Sequence, residues 1–410
     1  MSSPKPNPSA LNACASNCRS GRRPGRRGVD RHGPTGHHYS GGFPVSHRFL
    51  ERDMKAATAV AACLLSSIVA GLTGCTAGRP AQLLVELPEF CNTPDGMSLQ
   101  PDNSIILSVP NFNDERHPPL LMRITPDNRA EVFYRFPTPY PGLPKGVDRI
   151  APMGIARAPS GDLYLADMQY MKDKNQKSRL WKLVVRDGRV EKMVLVASGF
   201  NVANGLAIRD GFVYITESVL EEDSHPLTSA VLRFRLDEEG VVLKTPLKDD
   251  PHIIATFRSH KDQWRFGADG IAFDSRGNLY VGLFGEGEIW KITMDADGRV
   301  KSNTLFARAP GRMINCDGMS CDLRTDRLYV ADSAANAIQV IHPDGTVTTL
   351  SQNGDVADKR SGLLDQPCEA LVRGDTVVVS NMDWPFPGFR NRRWQMPATL
   401  SVIPIDQPRK

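Results

Sequence analysis

Short apolar runs separated by turn residues fill the chain from residue 81 onward, and residues 266–292 show this pattern most clearly. Their sequence, FGADGIAFDSRGNLYVGLFGEGEIWKI, contains apolar runs at Ile271–Phe273, Leu279–Val281 and Ile289–Ile292, with Gly, Asp and Asn between them. Runs of this length bounded by turn residues predict β-strands joined by tight turns, in an antiparallel meander. No sustained helical period appears in this part of the chain, so the pattern favours an all-β fold over a two-domain α/β protein.

The same pattern occurs six times. In each copy one residue precedes a Gly (Ala370 in the last copy), and an apolar run, a turn and a second run follow. The residues before the Gly are Asp95, Met153, Asn204, Asp269, Asp317 and Glu369, at spacings of 58, 51, 65, 48 and 52. A period near fifty residues filled by short strands is typical of propeller blades, which bury their apolar faces against one another. The sequence therefore predicts an all-β, six-bladed β-propeller as one domain over residues 76–410. The apolar segment Ala81–Leu87 has no turn partner and is expected to complete the short last blade.

The residues before the Gly are the candidate functional residues, because the first strand of each propeller blade lines the central axis. These positions are therefore expected to form a ring at one mouth of the channel. Met153 is the one apolar member, and the other five have oxygen-bearing side chains: Asp95, Asn204, Asp269, Asp317 and Glu369. Converging carboxylates repel one another unless a cation lies among them. An all-oxygen set predicts one divalent cation, Ca²⁺ first and then Mg²⁺ or Mn²⁺.

The second strand of each blade returns to the same mouth. Polar residues at those strand ends are candidates for orienting the ring, namely Asp167, Glu217, Asp332 and Asn381. The alternative is that Asp-Gly and Asn-Gly serve turns only and that these acids are solvated loop residues.

Two stretches carry a family resemblance. Asn204-Gly-Leu followed by Val-Tyr-Ile-Thr-Glu-Ser, and Asp269-Gly-Ile-Ala-Phe-Asp-Ser-Arg-Gly-Asn-Leu-Tyr-Val, resemble the six-bladed gluconolactonase, senescence-marker-protein and luciferin-regenerating-enzyme family. The resemblance covers residues 90–385. It implies one divalent cation held on the axis by a Glu, an Asn and an Asp, with the Asp also acting as the base in lactone hydrolysis.

Motif matching assigns Asn204 to the Asn of that family and Asp269 to the Asp. Glu369 lies three blades from Asn204 and would match the Glu, but the Glu of the family comes early in its chain whereas Glu369 comes last. Either the ring is circularly permuted, or the ligand set is Asp95, Asn204, Asp269 and Asp317.

The resulting hypothesis is a divalent-metal-dependent hydrolase of small lactones or esters. The cation would polarise the carbonyl, and Asp269 would help to take a proton from the attacking water. The alternative is a non-catalytic propeller lipoprotein that binds a ligand or partner. A third hypothesis is another chemistry on the same fold, such as phosphotriester hydrolysis or a strictosidine-synthase-like condensation.

The N-terminal part has a different composition. Residues 1–53 are rich in Pro, Gly, Ser and Arg, which predicts a disordered leader, or a mis-assigned one if Met54 is the true start. Residues 54–75 contain an apolar run typical of a secretory signal, and it ends in Leu-Thr-Gly-Cys75. That ending resembles the lipobox of bacterial lipoproteins, in which the Cys is lipidated; the alternative is a buried helix that ends so by chance. The resemblance implies a lipid-anchored, periplasm-facing protein of the bacterial cell envelope, with Thr76 favouring the outer membrane.

Charge narrows the set of partners. The 410-residue chain has a formal net charge of +4, but ten of its 50 Lys and Arg and three of its 46 Asp and Glu lie in residues 1–74, which leaves −3 on the remainder. A body of that charge has no electrostatic basis for binding nucleic acid. The expected partners of a monomer are therefore a small-molecule substrate and, through the lipid anchor, the membrane.

Four cysteines follow Cys75, and an envelope compartment would permit disulfides between them. Cys91 and Cys368 fall near the ends of the first and last blades, where a bridge would join the two ends of the ring. Cys316 and Cys321 would be the remaining pair, and free thiols are the alternative for them. The aromatic stretch Trp384–Phe389 either forms a pocket rim or packs a terminal loop.

Overall fold

The computed structural model describes residues 77–406, apart from residues 142, 144 and 145. The predicted leader, the signal segment and Cys75 lie outside this range. Within it are 26 β-strands and two single-turn 3₁₀ helices, at Leu247–Asp249 and Lys359–Ser361. None of the helices among these residues is long and apolar enough to span a membrane.

The strands form six sheets, which are the blades of the propeller, numbered I to VI in chain order; all strand pairs but one are antiparallel. The first two strands of the chain are β1 (Ala77–Gly78) and β2 (Gln82–Glu86). Blade I consists of β3 (Met97–Leu99), β4 (Ile105–Val109), β5 (Leu120–Ile124) and β6 (Ala130–Arg135). Blade II consists of β7 (Pro152–Arg157), β8 (Leu163–Asp167), β9 (Ser178–Arg186) and β10 (Arg189–Phe200). Blade III consists of β11 (Ala203–Arg209), β12 (Phe212–Glu221), β13 (Leu227–Arg235) and β15 (Ile253–Ser259), while the intervening β14 (Val241–Val242) pairs with β10.

Blades IV and V follow the same plan, and blade VI takes one strand from the N-terminal end of the described chain. Blade IV consists of β16 (Ala268–Phe273), β17 (Leu279–Leu283), β18 (Glu288–Met294) and β19 (Val300–Arg308). Blade V consists of β20 (Met319–Asp322), β21 (Arg327–Asp332), β22 (Ala337–Ile341) and β23 (Val347–Gln352), with β1 added at its outer edge. Blade VI consists of β24 (Pro367–Arg373), β25 (Thr376–Asn381), β26 (Thr399–Pro404) and β2.

The ring is closed by strand pairing. The predicted segment Ala81–Leu87 contains β2, which pairs antiparallel with β26 and completes blade VI. The inner strands contact one another in the cyclic order β3, β7, β11, β16, β20, β24 and back to β3. The predicted six-bladed architecture and its closing strand are therefore confirmed.

The core lies between neighbouring blades, which explains why the second strands are apolar on both faces. In β8, Leu163 and Leu165 pack against blade I, while Tyr164 packs against blade III. In β12, Val213 packs against blade II and Tyr214 against blade IV. Successive residues of a strand point to opposite faces, and here both faces are covered by another blade.

Candidate active site at one mouth of the channel

The ring residues are placed by β-bulges at the starts of the inner strands. In blade IV, Ala268 pairs with Leu283 but Ile271 pairs with Val281, so Asp269-Gly270 contains one residue more than the partner strand. The inner strands of blades II and III have the same extra residue, at Met153-Gly154 and Asn204-Gly205. A bulge bends its strand and redirects the side chain there. This explains how a polar residue and a Gly are accommodated at the start of a buried strand.

The Gly of each copy is required by the close approach of neighbouring blades. A Cβ added at Gly270 would lie 2.1 Å from the carbonyl oxygen of Asp317, and one added at Gly205 would lie 2.3 Å from that of Asp269. Because no side chain fits there, the ring residues of successive blades stand close together around the axis.

We expect Gly270→Ala to lower the free energy of unfolding by about 1–3 kcal/mol, since overpacking of this kind forces the backbone to shift. Gly354→Ala is the matched control, because an added Cβ there would have no heavy atom within 4 Å. Denaturant unfolding of both variants measures the difference. Equal stability would show that the blades can separate at the axis without cost.

Five of the six ring positions line one narrow cavity at this mouth, with a volume of about 50 Å³. They are Asp95, Met153, Asn204, Asp269 and Asp317. Glu369 lines a different cavity, of about 310 Å³, that opens toward the other end of the inner strands. The structure thus brings four of the five predicted oxygen-bearing residues to a shared cavity, while the fifth lines the other cavity and still repels the carboxyl of Asp269.

Burial and mutual repulsion raise the pKa values of the ring carboxyls. The Asp317 side chain is 9% exposed, and burial raises its pKa to about 7. Burial raises the pKa of Asp269 well above its usual range, and repulsion by Asp317, Asp95 and Glu369 adds to that effect. The pKa values of Asp95 and Glu369 are raised by the same two causes. The side chains that shift these four pKa values include no Lys or Arg among the described residues, so no basic group offsets the cost of ionising these carboxyls.

Two hydrogen bonds fix the ring side chains. The amide nitrogen Nδ2 of Asn204 donates to Oδ2 of Asp269 at 2.9 Å. The hydroxyl of Ser333 donates to Oδ2 of Asp317 at 2.7 Å. The bond from Asn204 leaves Oδ1 of Asp269 available to another ligand, whereas Oδ1 of Asp317 already accepts the amide of Gly318 at 3.0 Å.

The donor chemistry suits a hard cation, but the side chains are not drawn together around one point. Among the residues that the structure describes, no three His, Cys, Asp or Glu side chains are grouped closely enough to hold a metal ion. Carboxylate and amide oxygens are nevertheless the ligands that Ca²⁺ and Mg²⁺ prefer. Binding would therefore require the ring carboxylates to move closer together.

The polar residues at the second-strand ends hold the backbone that leads into each inner strand. Asp167 accepts a hydrogen bond from the amide of Ala151 at 2.8 Å, and Glu217 accepts one from the amide of Val202 at 2.7 Å. The other two accept equivalent amide bonds: Asp332 from Ile314 at 2.9 Å and Asn381 from Asp365 at 3.0 Å. Burial raises the pKa of Glu217 to about 7 and that of Asp332 to about 6. Their orienting effect on the ring stays a prediction, and it would act through the backbone.

Hydroxyl groups beside these residues form a set that the sequence did not reveal. Thr216 donates to the carbonyl of Asp269 at 2.8 Å, Ser218 to that of Ala268 at 2.7 Å, and Ser380 to that of Asp95 at 2.7 Å. Each hydroxyl thus ties one blade to the ring segment of the next. The sequence signal that could have indicated these hydroxyls is a Ser or Thr next to the polar residue at the strand end, as in Thr-Glu-Ser and Asp-Ser.

All four cysteines of the described chain are free thiols, which corrects the expected bridges. The thiol of Cys368 lies 3.2 Å from the carbonyl oxygen of Pro94 and 3.2 Å from the hydroxyl of Ser380, while Cys91 packs in the apolar core. Cys321 lies in β20 and Cys316 precedes that strand, and both are free thiols, as the alternative for this pair predicted.

Apolar side chains form the wall of the cavity above the ring. Four of them lie outside the loop between β25 and β26, namely Met168, Met171, Phe266 and Phe284. The loop, residues 382–398, contributes Met382, Trp384 and Phe386. The aromatic stretch at 384–389 therefore does line a pocket, as one of its two interpretations predicted.

A buried ion cluster anchors the loop. Nζ of Lys359 lies 2.6 Å from Oδ2 of Asp383 and also pairs with Asp365, and all three side chains are 3% exposed or less. Asp383 also accepts the amide of Gln395 at 2.6 Å. Burial raises the pKa of Asp365 to about 7, whereas the charge of Lys359 acts to lower it.

We expect Lys359→Met to lower the free energy of unfolding by about 3–5 kcal/mol at pH 8, because two buried carboxylates lose their partner. The loss should be smaller at pH 5, where these carboxyls take up protons. Lys248→Met, which breaks an exposed pair with Glu221, is the control and should cost less than about 1 kcal/mol. Chemical denaturation at both pH values measures the contrast, and a pH-independent loss would contradict the charge explanation.

Comparison with known proteins adds to this geometry. Residues 154–300, which include Asn204 and Asp269, match the family described as the SMP-30/Gluconolactonase/LRE-like region. The chain carries a gluconolactonase-like region. Among the curated proteins none matches the chain by sequence.

Solved structures similar to this chain share its fold at low identity. Luciferin-regenerating enzyme is 10% identical with a TM-score of 0.51, over 80% of this chain and 95% of that one. Regucalcin from Agrobacterium tumefaciens, a calcium-binding protein, is 13% identical with a TM-score of 0.50, over 80% and 94%. The PQQ-bound aldose sugar dehydrogenase of Streptomyces coelicolor is 13% identical with a TM-score of 0.50, over 81% and 98%. Likeness at this level shows the fold alone, and the predicted family resemblance is confirmed by the gluconolactonase-like region.

Proposed function

We propose that this protein is a divalent-metal-dependent hydrolase of lactones or esters, with its active site at the ring. The gluconolactonase-like region supports lactone hydrolysis. The observation that carries the proposal is the set of buried carboxyls around one narrow cavity, with raised pKa values and no basic side chain among their causes. Perturbed carboxyls in a cavity are a frequent feature of catalytic sites.

Asp269 is the proposed base. Burial and the neighbouring carboxyls raise its pKa well above the usual range of an Asp, which makes the carboxylate a stronger base. Asn204 fixes the rotamer of Asp269 through the 2.9 Å hydrogen bond, which leaves one carboxylate oxygen to accept a proton from a water molecule. That water would then attack the carbonyl carbon, the bond from this carbon to the ring oxygen would break, and the ring oxygen would take the proton back from Asp269.

The residues proposed to hold the cation are Asp95, Asn204, Asp269 and Asp317, because they share the cavity. Glu369 lines the cavity that opens toward the other mouth, which favours this set over the permuted set that includes Glu369. A bound divalent cation would supply Lewis-acid polarisation of the carbonyl. Ca²⁺ is the first candidate, with Mg²⁺ and Mn²⁺ after it.

A lactone panel assayed with Ca²⁺, Mg²⁺ or Mn²⁺, and then with chelator, tests this function. We expect hydrolysis that chelator abolishes and the added cation restores. Hydrolysis that is indifferent to chelator would remove the metal from the proposal. Absence of hydrolysis with every cation would favour the second candidate, a non-catalytic binding propeller, which Met153 and the lack of a preformed metal group also favour.

We also propose attachment of a monomer to the bacterial envelope by lipidation at Cys75, on the basis of the Leu-Thr-Gly-Cys sequence. Metabolic labelling with a fatty acid in a bacterial host should mark the wild-type protein but not Cys75→Ser. Labelling of both would contradict the proposed site.

A further inference from the structure

The wall above the ring has a composition that restricts what can bind there. Apart from the ring residues, every side chain that lines the cavity is a Met or an aromatic residue. A polyhydroxylated ligand needs a hydrogen-bond partner for each hydroxyl that leaves water, because burying a hydroxyl without one is costly. This wall has apolar side chains where such partners would be required.

The aromatic side chains extend around the mouth as a continuous series of ring contacts, which we call the aromatic collar. Phe112 stacks on Trp384 with centroids 4.8 Å apart, and Trp384 contacts Phe386 at 5.0 Å. The contacts continue through Phe389, Phe284, Phe266 and Tyr170, with centroids 5.3–6.3 Å apart: Phe386–Phe389 5.3 Å, Phe389–Phe284 6.3 Å, Phe284–Phe266 6.1 Å and Phe266–Tyr170 6.1 Å. Aromatic faces and edges bind planar and alkyl groups by stacking and dispersion.

The collar is held in place by polar contacts behind it. The Lys359–Asp383 pair anchors one end of the loop that carries Trp384 and Phe386. The indole nitrogen of Trp264 donates to the carbonyl of Pro387 at 3.1 Å on the far side of the same loop. An apolar surface that is formed before binding loses little entropy when a ligand arrives.

Size and shape agree with this composition. About 50 Å³ holds one or two groups the size of a water molecule, so only the reacting carbonyl end of a substrate fits beside the carboxylates. The rest of an apolar substrate must lie against the collar, because the adjoining groove of about 620 Å³ shares Met171 and Phe266 with the cavity but is also lined by charged side chains, among them Lys174, Glu222 and Arg265. Met side chains adapt to apolar groups of different shape.

We propose that the substrate is an apolar lactone or ester, with an alkyl or aryl group that lies on the aromatic collar, rather than a polyhydroxylated sugar lactone. This inference rests on the proposed hydrolase function. It assigns Trp384 as the main specificity-determining residue, because Trp384 both lines the cavity and joins Phe112 to Phe386.

The test compares three six-membered lactones on the purified protein with divalent cation: dihydrocoumarin, δ-decalactone and glucono-1,5-lactone. We expect kcat/KM for the two apolar lactones to exceed that for the sugar lactone by at least 10-fold. Trp384→Ala should lower kcat/KM for the apolar lactones by about 10-fold or more, and lower it less for the sugar lactone. Trp394→Ala, an exposed Trp of the same loop, is the matched control and should leave all three values within two-fold.

A higher kcat/KM for glucono-1,5-lactone, or an equal loss on all three substrates in Trp384→Ala, would overturn the inference while leaving the hydrolase function intact. If no lactone is hydrolysed, the proposed function fails, and binding decides the inference separately. Quenching of tryptophan fluorescence by dihydrocoumarin, saturable in Trp394→Ala and lost in Trp384→Ala, would support the apolar site. A lack of saturable quenching in the wild type would overturn it. Should Trp384→Ala fail to fold, Trp384→Leu provides the same comparison with an apolar side chain retained.

Discussion

Asp269→Asn is expected to lower kcat for lactone hydrolysis by about 10²- to 10⁴-fold, the usual contribution of a general base. The amide cannot take the proton from water, although it has nearly the same shape as the carboxyl group. The fold should become no less stable at pH 8, because the substitution removes one of the mutually repelling carboxyls of the ring. Steady-state kinetics and thermal unfolding on the same preparation measure the two effects together.

A loss of activity without a loss of stability would assign the effect to the chemistry of Asp269 rather than to the fold. A variant that was merely misfolded would lose both activity and stability. Asp237→Asn, at a side chain that is 73% exposed, is the matched control and should change neither. Retention of full activity by Asp269→Asn would remove this residue from the mechanism.

Without a divalent cation, the stability of the protein is expected to fall as the pH rises from about 4 to above 7. The folded pKa of Asp317, about 7, lies above the ordinary Asp value of 3.8, and the pKa values of Asp95, Asp269 and Glu369 are also raised. Between those limits the folded protein binds protons that the unfolded chain does not, so the free energy of unfolding decreases with rising pH. At pH 8 the ring then holds repelling charges.

A divalent cation should reverse that loss. If Ca²⁺ binds the ring, a concentration of a hundred times Kd adds about 2.7 kcal/mol at pH 8 and raises Tm by about 4 °C. The gain should shrink at pH 5, where protons compete for the same oxygens. Differential scanning fluorimetry over a grid of pH and Ca²⁺, Mg²⁺ or Mn²⁺ measures both trends.

The double variant Asp95→Asn/Asp317→Asn is the control for this measurement. It should weaken the pH dependence and remove the response to cation, while the raised pKa values of Glu217, Asp332 and Asp365 leave a residual slope. If the wild-type Tm falls as the pH rises but does not change with any of the three cations, then protons alone neutralise the ring carboxylates. The binding-propeller alternative would then be favoured.

The closing strand and the ring were predictable because each follows from a pattern that local sequence carries. The segment at 81–87 was apolar and had no turn partner, and a blade short of one strand was available to receive it. The six residues before Gly recurred at blade spacing, so their common position required only the fold. The direction of Glu369 was not predictable in this way. It depends on where the extra residue of blade VI falls between the pairs Pro367–Asn381 and Glu369–Ser380. That register is set by both strands of the pair, so the sequence of one strand does not predict it.

The errors and omissions have physical causes as well. Cysteine count and compartment suggested bridges, but a disulfide requires two thiols at a set distance, and Cys368 is oriented instead toward Pro94 and Ser380. The collar was missed because its rings come from loops of four blades that are far apart in sequence. Trp384 and Phe386 carried an aromatic signal, but nothing local indicates which surface a loop will face.

The pairing of β2 with β26 has a consequence for biosynthesis. The edge strand β2 of blade VI is synthesised long before its neighbour β26, so β2 remains unpaired during most of translation. Blades I to V can assemble as they emerge, but the sixth can form only after the last strand leaves the exit tunnel. Nascent chains arrested just before residue 399 should therefore remain sensitive to protease.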